Sequence, residues 1–166
     1  MAESDVTRIL LAHNHWATRN ILDACAKLTE AQFHQRFEMG MGSLHDNLVH
    51  TQLALQVWTD VLVGRPLGPR PTTLPRFTVP QLLEKLDATA AELLEVAFKH
   101  PPGQIVSRVR DGKGEQYTRG AVLAHVATHG MHHRAQCLNM LRHLGVNPLP
   151  ESSVTSWTRI VDPIMS

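Results

Sequence analysis

Four histidines within nine residues dominate the chemistry that this sequence could perform. His125, His129 and His133 follow one another at four-residue intervals, and His132 stands next to the last of them. On an α-helix this spacing places the first three side chains in one row. Two imidazoles one turn apart can bind the same divalent cation, as in HExxH zinc sites. Because no Glu stands beside these histidines, the sequence does not predict a zincin.

A metal site with an open position for a substrate needs about three protein ligands, so the third must come from another helix. His50 is the best candidate, because it lies about two turns inside a predicted helix, on one stripe with Asn47 and Ala54. His13, on the buried stripe of the first predicted helix, is the second candidate, as a ligand or as an acid–base partner. His45 lies near a predicted helix start and is expected to be exposed.

Two interpretations of the histidine-rich face involve no metal. Protonation of all eleven histidines would change the formal net charge from +1 to +12, which would make the face a pH switch. The same face could also be solvated and without function. Buried imidazoles need hydrogen-bond partners, which makes a purely structural role for four of them harder to accept. The residues alone leave these interpretations open beside metal binding.

Four helical segments must position these histidines. Apolar residues at spacings of three and four predict helices over residues 5–28, 44–63, 79–98 and 119–144. Residues with capping side chains precede three of these segments, and glycines follow two of them: Ser43, Thr78, Thr118, Gly64 and Gly145.

The connections complete the predicted fold. Five prolines between residues 65 and 80 forbid a regular helix there. Residues 104–117 are predicted to form either a small β-hairpin around Asp111-Gly112 or an extended loop. The tail from Val146 is expected to pack over the helices. The prediction is therefore an all-α four-helix bundle, a single domain over residues 1–166, with a long proline-rich connection between its second and third helices.

Composition excludes several classes of function. The 166 residues carry 16 Lys and Arg against 15 Asp and Glu, and this balance argues against a nucleic-acid-binding protein. No apolar run approaches the roughly 20 residues that a membrane-spanning helix needs. The N-terminus has no secretory signal, so we expect a cytoplasmic protein. Cys25 and Cys137 form no CxxC pair and are expected to be reduced and buried.

The last helix resembles a known family signature. Residues 123–136, LAHVATHGMHHRAQ, followed by residues 141–145 and a proline, look like the final helix of the DinB-like (DinB/YfiT) superfamily. His15-Trp-Ala17 is similar to the family's opening. Ser43–His50 with Trp58 eight residues later resembles its second-helix motif. The resemblance covers essentially the whole chain in order.

The resemblance implies an up-down-down-up bundle with a divalent metal bound by His50, His129 and His133. It implies that His132 points aside and that His125 lies one turn from the metal. The motif residues Arg134 and Gln136 are expected to pack helices. Members of the family are often dimers, so we expect a homodimer.

The resemblance also implies an activity, because some relatives are transferases or isomerases that use low-molecular-weight thiols. A divalent ion held by three neutral imidazoles can lower the pKa of a bound thiol or water. The leading prediction is therefore a thiol-dependent S-transferase acting on a small electrophile, with zinc or nickel as the metal. Periodicity suggests that His13 or Asn20 positions the substrate. The alternatives are a metal-dependent hydrolase and a noncatalytic metal-binding stress-response protein.

Overall fold

A computed structural model of the protein describes residues 5–161, most of which are helical. In chain order the elements are α1 (Val6–Cys25), α2 (Glu30–Phe33), α3 (Leu44–Val63), α4 (Val79–Ala97), β1 (Ile105–Arg110), β2 (Lys113–Thr118), α5 (Arg119–His143) and α6 (Val154–Val161). The expected predominance of helices is confirmed. The two strands form a small antiparallel sheet.

The long helices α1, α3, α4 and α5 share one apolar core. Helices α1 and α3 each pack against both α4 and α5. The centre of the core consists of side chains that are almost fully excluded from water and that come from all four helices: Ile21, Leu22, Leu44, Val49, Leu82, Leu86, Met140 and Leu141. Burial of apolar surface of this kind is the main stabilising contribution to the fold.

Most of the predicted helix ends are confirmed, because local capping interactions determine them. The Ser43 side chain accepts a hydrogen bond from the Asp46 backbone N–H at 3.0 Å, and Thr78 forms a capping box with Gln81. Helix α3 ends at Gly64, whose φ of 73° is left-handed. These ends determine which α3 residues face α5.

Of the two alternatives for residues 104–117, the structure has the hairpin. Arg110 pairs with Lys113 across a two-residue turn. Asp111 and Gly112 have φ values of 50° and 74°, as a type I′ turn requires. Residues 65–78 form neither helix nor strand, as the prolines predict.

The two ends of the chain differ from the prediction. Helix α1 ends at Cys25, and the short helix α2 follows it. Val6, an apolar residue in the first turn of α1, is 68% exposed, because periodicity identifies a helix face but not where its covering neighbours stop. The tail carries α6, whose Trp157 is buried near His13.

Within residues 5–161, no helix is long and apolar enough to cross a membrane.

Candidate metal centre

Three histidines from two helices converge between α3 and α5. His50 lies on α3, and His129 and His133 lie one turn apart on α5. One ring nitrogen of each lies within 4.8 Å of the others. The Nε2 atoms of His50 and His129 are 3.3 Å apart, and the His133 ring centroid is 4.7 Å and 4.4 Å from those of His50 and His129. The structure therefore brings together the three residues that the resemblance implies.

The separations fit a shared divalent cation. Two nitrogens bound to a tetrahedral zinc ion, each at about 2.0–2.1 Å, are about 3.3 Å from one another. The distance between the Nε2 atoms of His50 and His129 has this value. An all-imidazole donor set suits zinc and nickel alike. These three histidines could therefore hold a metal ion, and their geometry does not choose between the two.

Asn47 fixes the tautomer of His133. The Nδ1 atom of His133 lies 2.8 Å from Oδ1 of Asn47 and 3.0 Å from Oε1 of Gln136. An amide oxygen can only accept a hydrogen bond, so Nδ1 of His133 carries the proton. Its Nε2 is left with a free lone pair for a metal.

The Asn47 amide is itself held from the other side. Its Nδ2 donates to the carbonyl oxygen of His133 at 3.0 Å and to Sγ of Cys137 at 3.2 Å. Asn47 is completely buried. Periodicity places Asn47 on the stripe of His50 but predicts no role for it. The available signal was an asparagine inside an otherwise apolar stripe, three residues before a candidate ligand.

The three imidazoles are neutral at pH 7. Burial, together with the neighbouring imidazoles, lowers the pKa of His129 to about 4. Burial, together with the nearby His50, lowers the pKa of His133 to about 4. The pKa of His50 is lowered by burial and by the charge of Arg110. Neutral imidazole is the form that binds metals, so no proton has to leave these rings before binding.

A cavity of about 550 Å³ opens beside this cluster. His50 and His129 form part of its wall. Its remaining lining comes from Met41 before α3, from α3 itself, from the proline-rich connection and from the hairpin, and includes Leu53, Val57, Leu67, Arg70, Leu74, Val109, Arg110 and Asp111. A cavity of this size can enclose a small organic molecule next to a metal.

Comparison with protein families agrees with this arrangement. The model of the DinB family matches residues 1–156. The chain belongs to the DinB family. The match includes all four long helices and the three clustered histidines. A search of curated proteins found no significant match.

The other motif residues of this DinB chain have different roles. His125 is exposed, and its ring centroid is 5.2 Å from that of His129 and 5.0 Å from that of Trp58. His132 is exposed and accepts a hydrogen bond from Nε2 of Gln136 at 2.9 Å. Gln136 thus joins His132 to His133, where the sequence analysis expected helix packing.

Arg134 joins α5 to α1, as expected for a packing residue. It is 4% exposed, and burial lowers its pKa to about 10. Its guanidinium donates to Oδ1 of Asn14 and, at 3.4 Å, to Oγ1 of Thr18. The two helices lie so close here that a Cβ atom at Gly130 would overlap the Asn14 amide. Asn14, which no sequence pattern predicts as a site residue, is buried beside the candidate metal centre.

His13 and Asn20 contact the tail of this DinB protein. Nε2 of His13 donates to the carbonyl oxygen of Ser152 at 3.0 Å, and Nδ2 of Asn20 donates to that of Glu151 at 3.0 Å. Neither residue belongs to the group of His50, His129 and His133. Their role in positioning a substrate stays a prediction.

The expected exposure of His45 is wrong. Its side chain is 3% exposed, and Nδ1 lies 2.8 Å from a carboxylate oxygen of Asp46. The ring packs against His34, with centroids 4.4 Å apart, and against Phe33 of α2. Helix α2, which periodicity did not predict, covers this start of α3.

Proposed function

We propose that this DinB-family protein is a divalent-metal-dependent enzyme in which a low-molecular-weight thiol attacks a small electrophile. The observation that supports the proposal most directly is the convergence of three neutral imidazoles beside a cavity of about 550 Å³. A bound divalent ion would lower the pKa of a thiol enough to make the thiolate available near neutral pH. The proposed metal is zinc, with nickel as the second choice.

The residues around the cavity favour a thiol over water as the nucleophile. Asp111 is the one carboxylate among the described residues that line the cavity, and it lies 3.7 Å from the Arg70 guanidinium. The cavity therefore lacks a free general base that could take a proton from water. A thiol, with an ordinary pKa of about 8.5, gives up its proton far more readily than water does. Hydrolysis is the weaker candidate for this reason.

The proposal assigns the chain's own groups to binding and orientation. His50, His129 and His133 would hold the ion, and Asn47 keeps the Nδ1 proton of His133 away from it. The apolar side chains Leu53 and Val57 would exclude water from the substrate. We retain substrate positioning by His13 and Asn20 as a prediction, to be tested through the KM of their alanine variants.

The proposal includes a wider setting that follows from the family. We infer that the four long helices run up-down-down-up, that two chains form a homodimer, and that the protein acts in the cytoplasm. Light scattering after size-exclusion chromatography would test the dimer. A monomer at micromolar concentration would contradict that part of the proposal and leave the metal site unaffected.

Metal analysis and thiol consumption test the central proposal. Protein purified without a histidine tag should contain about one zinc or nickel per chain, and the His129→Ala/His133→Ala variant should contain almost none. The matched control is His100→Ala, which changes an exposed histidine outside the cluster and should keep the metal. Equal metal content in all three proteins would contradict the proposed site.

Activity separates the remaining alternatives. With metal bound, the wild type should consume glutathione, bacillithiol or mycothiol in the presence of an electrophile panel, and the His50→Ala variant should not. Turnover without any thiol would indicate a hydrolase. Metal binding without turnover of any substrate would favour a noncatalytic stress-response protein, although the adjoining cavity argues for a bound substrate.

A further inference from the structure

The cavity beside the three histidines has a positively charged wall. The hairpin turn contributes Arg110 and Asp111 to this wall, and the proline-rich connection contributes Arg70. His50 and His129 line the same cavity. A ligand in it would therefore meet the candidate metal centre and the two arginines together.

The hairpin directs Arg110 inward. Along β1, Val106 and Arg108 are largely covered, whereas Ile105 and Val109 are 55% and 68% exposed. Alternation along a strand places Arg110 on the same side as Val106 and Arg108. The tight turn that follows fixes the end of the strand, so the position of Arg110 is set by the hairpin backbone.

Among the described residues, Arg110 lacks the side-chain contacts that the two neighbouring arginines make. The Arg108 guanidinium donates to Glu115 and lies 4.2 Å from the centre of the Trp58 ring. Arg70 lies within 3.7 Å of Asp111. Within residues 5–161, no hydrogen bond or ion pair joins the Arg110 side chain to another residue. Its charge is therefore available to a ligand.

Arg110 lies in an unfavourable electrostatic environment at the cavity wall. Burial lowers the pKa of Arg110, and the charges of Arg70 and Arg108 lower it further. An anion bound to Arg110 in the cavity would relieve this unfavourable arrangement. The planar guanidinium matches the two oxygens of a carboxylate, which it can bind in bidentate fashion.

We propose that Arg110 binds the carboxylate of a small organic anion and so holds the rest of that molecule beside His50 and His129. Apolar lining from Leu53 and Val57 would contact its body. The anion is either the electrophile or the thiol cosubstrate, and this assignment to a reaction rests on the function proposed above. The binding of the carboxylate itself does not.

Binding of benzoate, compared with neutral benzamide, tests this site. Dissociation constants are measured by NMR titration for the wild type and for Arg110→Gln, each metal-free and zinc-loaded. The matched control is Arg142→Gln, which changes an exposed arginine in the last turn of α5. Benzoate should bind Arg110→Gln about tenfold more weakly than it binds the wild type or Arg142→Gln. The weak binding of benzamide should be the same in all three proteins.

Three results would overturn the proposal. These are equal affinity of the wild type and Arg110→Gln for benzoate, equal affinity of the wild type for benzoate and benzamide, and tighter binding of inorganic phosphate than of benzoate. The Arg110→Lys variant covers the case in which Arg110→Gln does not fold. Because Arg110→Lys keeps the charge but loses the planar fork, its affinity for benzoate should lie between those of the wild type and Arg110→Gln.

Glutathione distinguishes the two sources of the carboxylate. If its affinity also falls about tenfold in Arg110→Gln, the site accepts the thiol cosubstrate; if only benzoate is affected, the site belongs to the electrophile. Either result supports a carboxylate site. Loss of benzoate binding in Arg110→Gln at unchanged metal content would separate this site from the metal centre. Conversely, Arg110-dependent binding to a protein that takes up no metal would refute the proposed function alone.

Discussion

Asn47 is an uncharged residue whose side-chain hydrogen bonds all join it to α5. Its Oδ1 accepts from Nδ1 of His133, and its Nδ2 donates to the His133 carbonyl and to Cys137. The Asn47 and Gln136 oxygens that accept from Nδ1 of His133 leave its Nε2 to bind a metal. Residues that orient a metal ligand in this way commonly contribute 10- to 100-fold to metal affinity, as an order of magnitude.

We therefore expect Asn47→Ala to lower zinc affinity about 10- to 100-fold. The loss arises because His133 loses the nearer of the two acceptors on Nδ1 and keeps only Oε1 of Gln136 to hold its ring and its proton in place. A competition titration with a chelator of known affinity measures the change. Asn139→Ala is the matched control, since Asn139 lies on α5 and contacts Met39, away from the cluster. Equal zinc affinity in Asn47→Ala and the wild type would show that Asn47 does not orient His133.

Gly130 of α5 lies directly against Asn14 of α1. A methyl group there would overlap the Asn14 amide, which accepts a hydrogen bond from the buried Arg134. Ala normally stabilises a helix by about 1 kcal/mol relative to Gly. Here the overlap outweighs that gain, so we expect Gly130→Ala to lower the free energy of unfolding by about 1–3 kcal/mol. Urea denaturation measures the change.

The control for this prediction removes the obstructing side chain. In an Asn14→Ala background, Gly130→Ala should cost much less, because no amide remains to be displaced. Such a difference between single and double variants identifies two residues in contact. Additive effects would mean that the cost of Gly130→Ala comes from somewhere else in the helix.

Individual residues were predictable from sequence only where the spacing within one helix sufficed. The four-residue spacing of His129 and His133 could be read directly. His50 was the best candidate for the third ligand because of its position inside a predicted helix, and the family resemblance implied all three residues. Asn14, Asn47 and Arg110 were missed, because their roles depend on which face of another element lies opposite. The exposure of His45 was wrongly predicted for the same reason, since α2 covers it.

At the scale of elements, ends were predictable wherever a local interaction determines them. Ser43, Thr78 and Gly64 act within one turn of their own helix, so their signals are visible in the sequence. Helix α6 was not predicted, because eight residues do not form a stable helix alone. It depends on Trp157, which is 8% exposed and packs near His13.

Replacement of Trp157 by Ala should therefore detach α6. Large-to-small replacement of a buried aromatic residue costs about 3–5 kcal/mol in a core, and we expect the lower end at this edge of the molecule. Burial lowers the pKa of His13, so exposure should raise that pKa towards its usual value. An NMR titration of His13 and amide exchange in α6 report the two effects. Ile160→Ala, at a 65% exposed position of the same helix, should leave both unchanged.

At the scale of the whole molecule, the histidines fall into two groups in their response to pH. With eleven histidines and a formal net charge of +1, the net charge of the protein would rise steeply on acidification, as the pH-switch interpretation assumed. The structure limits it, because burial lowers the pKa of five of them: His13, His50, His125, His129 and His133. These five stay neutral in the folded protein at pH values where an unfolded chain would protonate them.

We therefore expect the metal-free protein to lose stability as the pH falls from about 7.5 to 5.5. The pKa of His129 and His133 is about 4 in the folded chain and about 6.5 in an unfolded one. Between these values the unfolded state binds more protons, so the free energy of unfolding rises with pH and falls on acidification. Urea denaturation at a series of pH values measures this slope.

The His129→Ala/His133→Ala variant isolates the contribution of the cluster. At pH 5.5 its unfolding should take up fewer protons than that of the metal-free wild type, by about two. Asp and Glu are almost fully ionised in both states at this pH and add little. The His100→Ala control should retain the wild-type slope, because His100 is exposed and lies outside the histidine cluster. A double variant as pH-sensitive as the wild type would mean that the clustered imidazoles are not held neutral by the fold, and with that the chain would lose its preformed set of metal ligands.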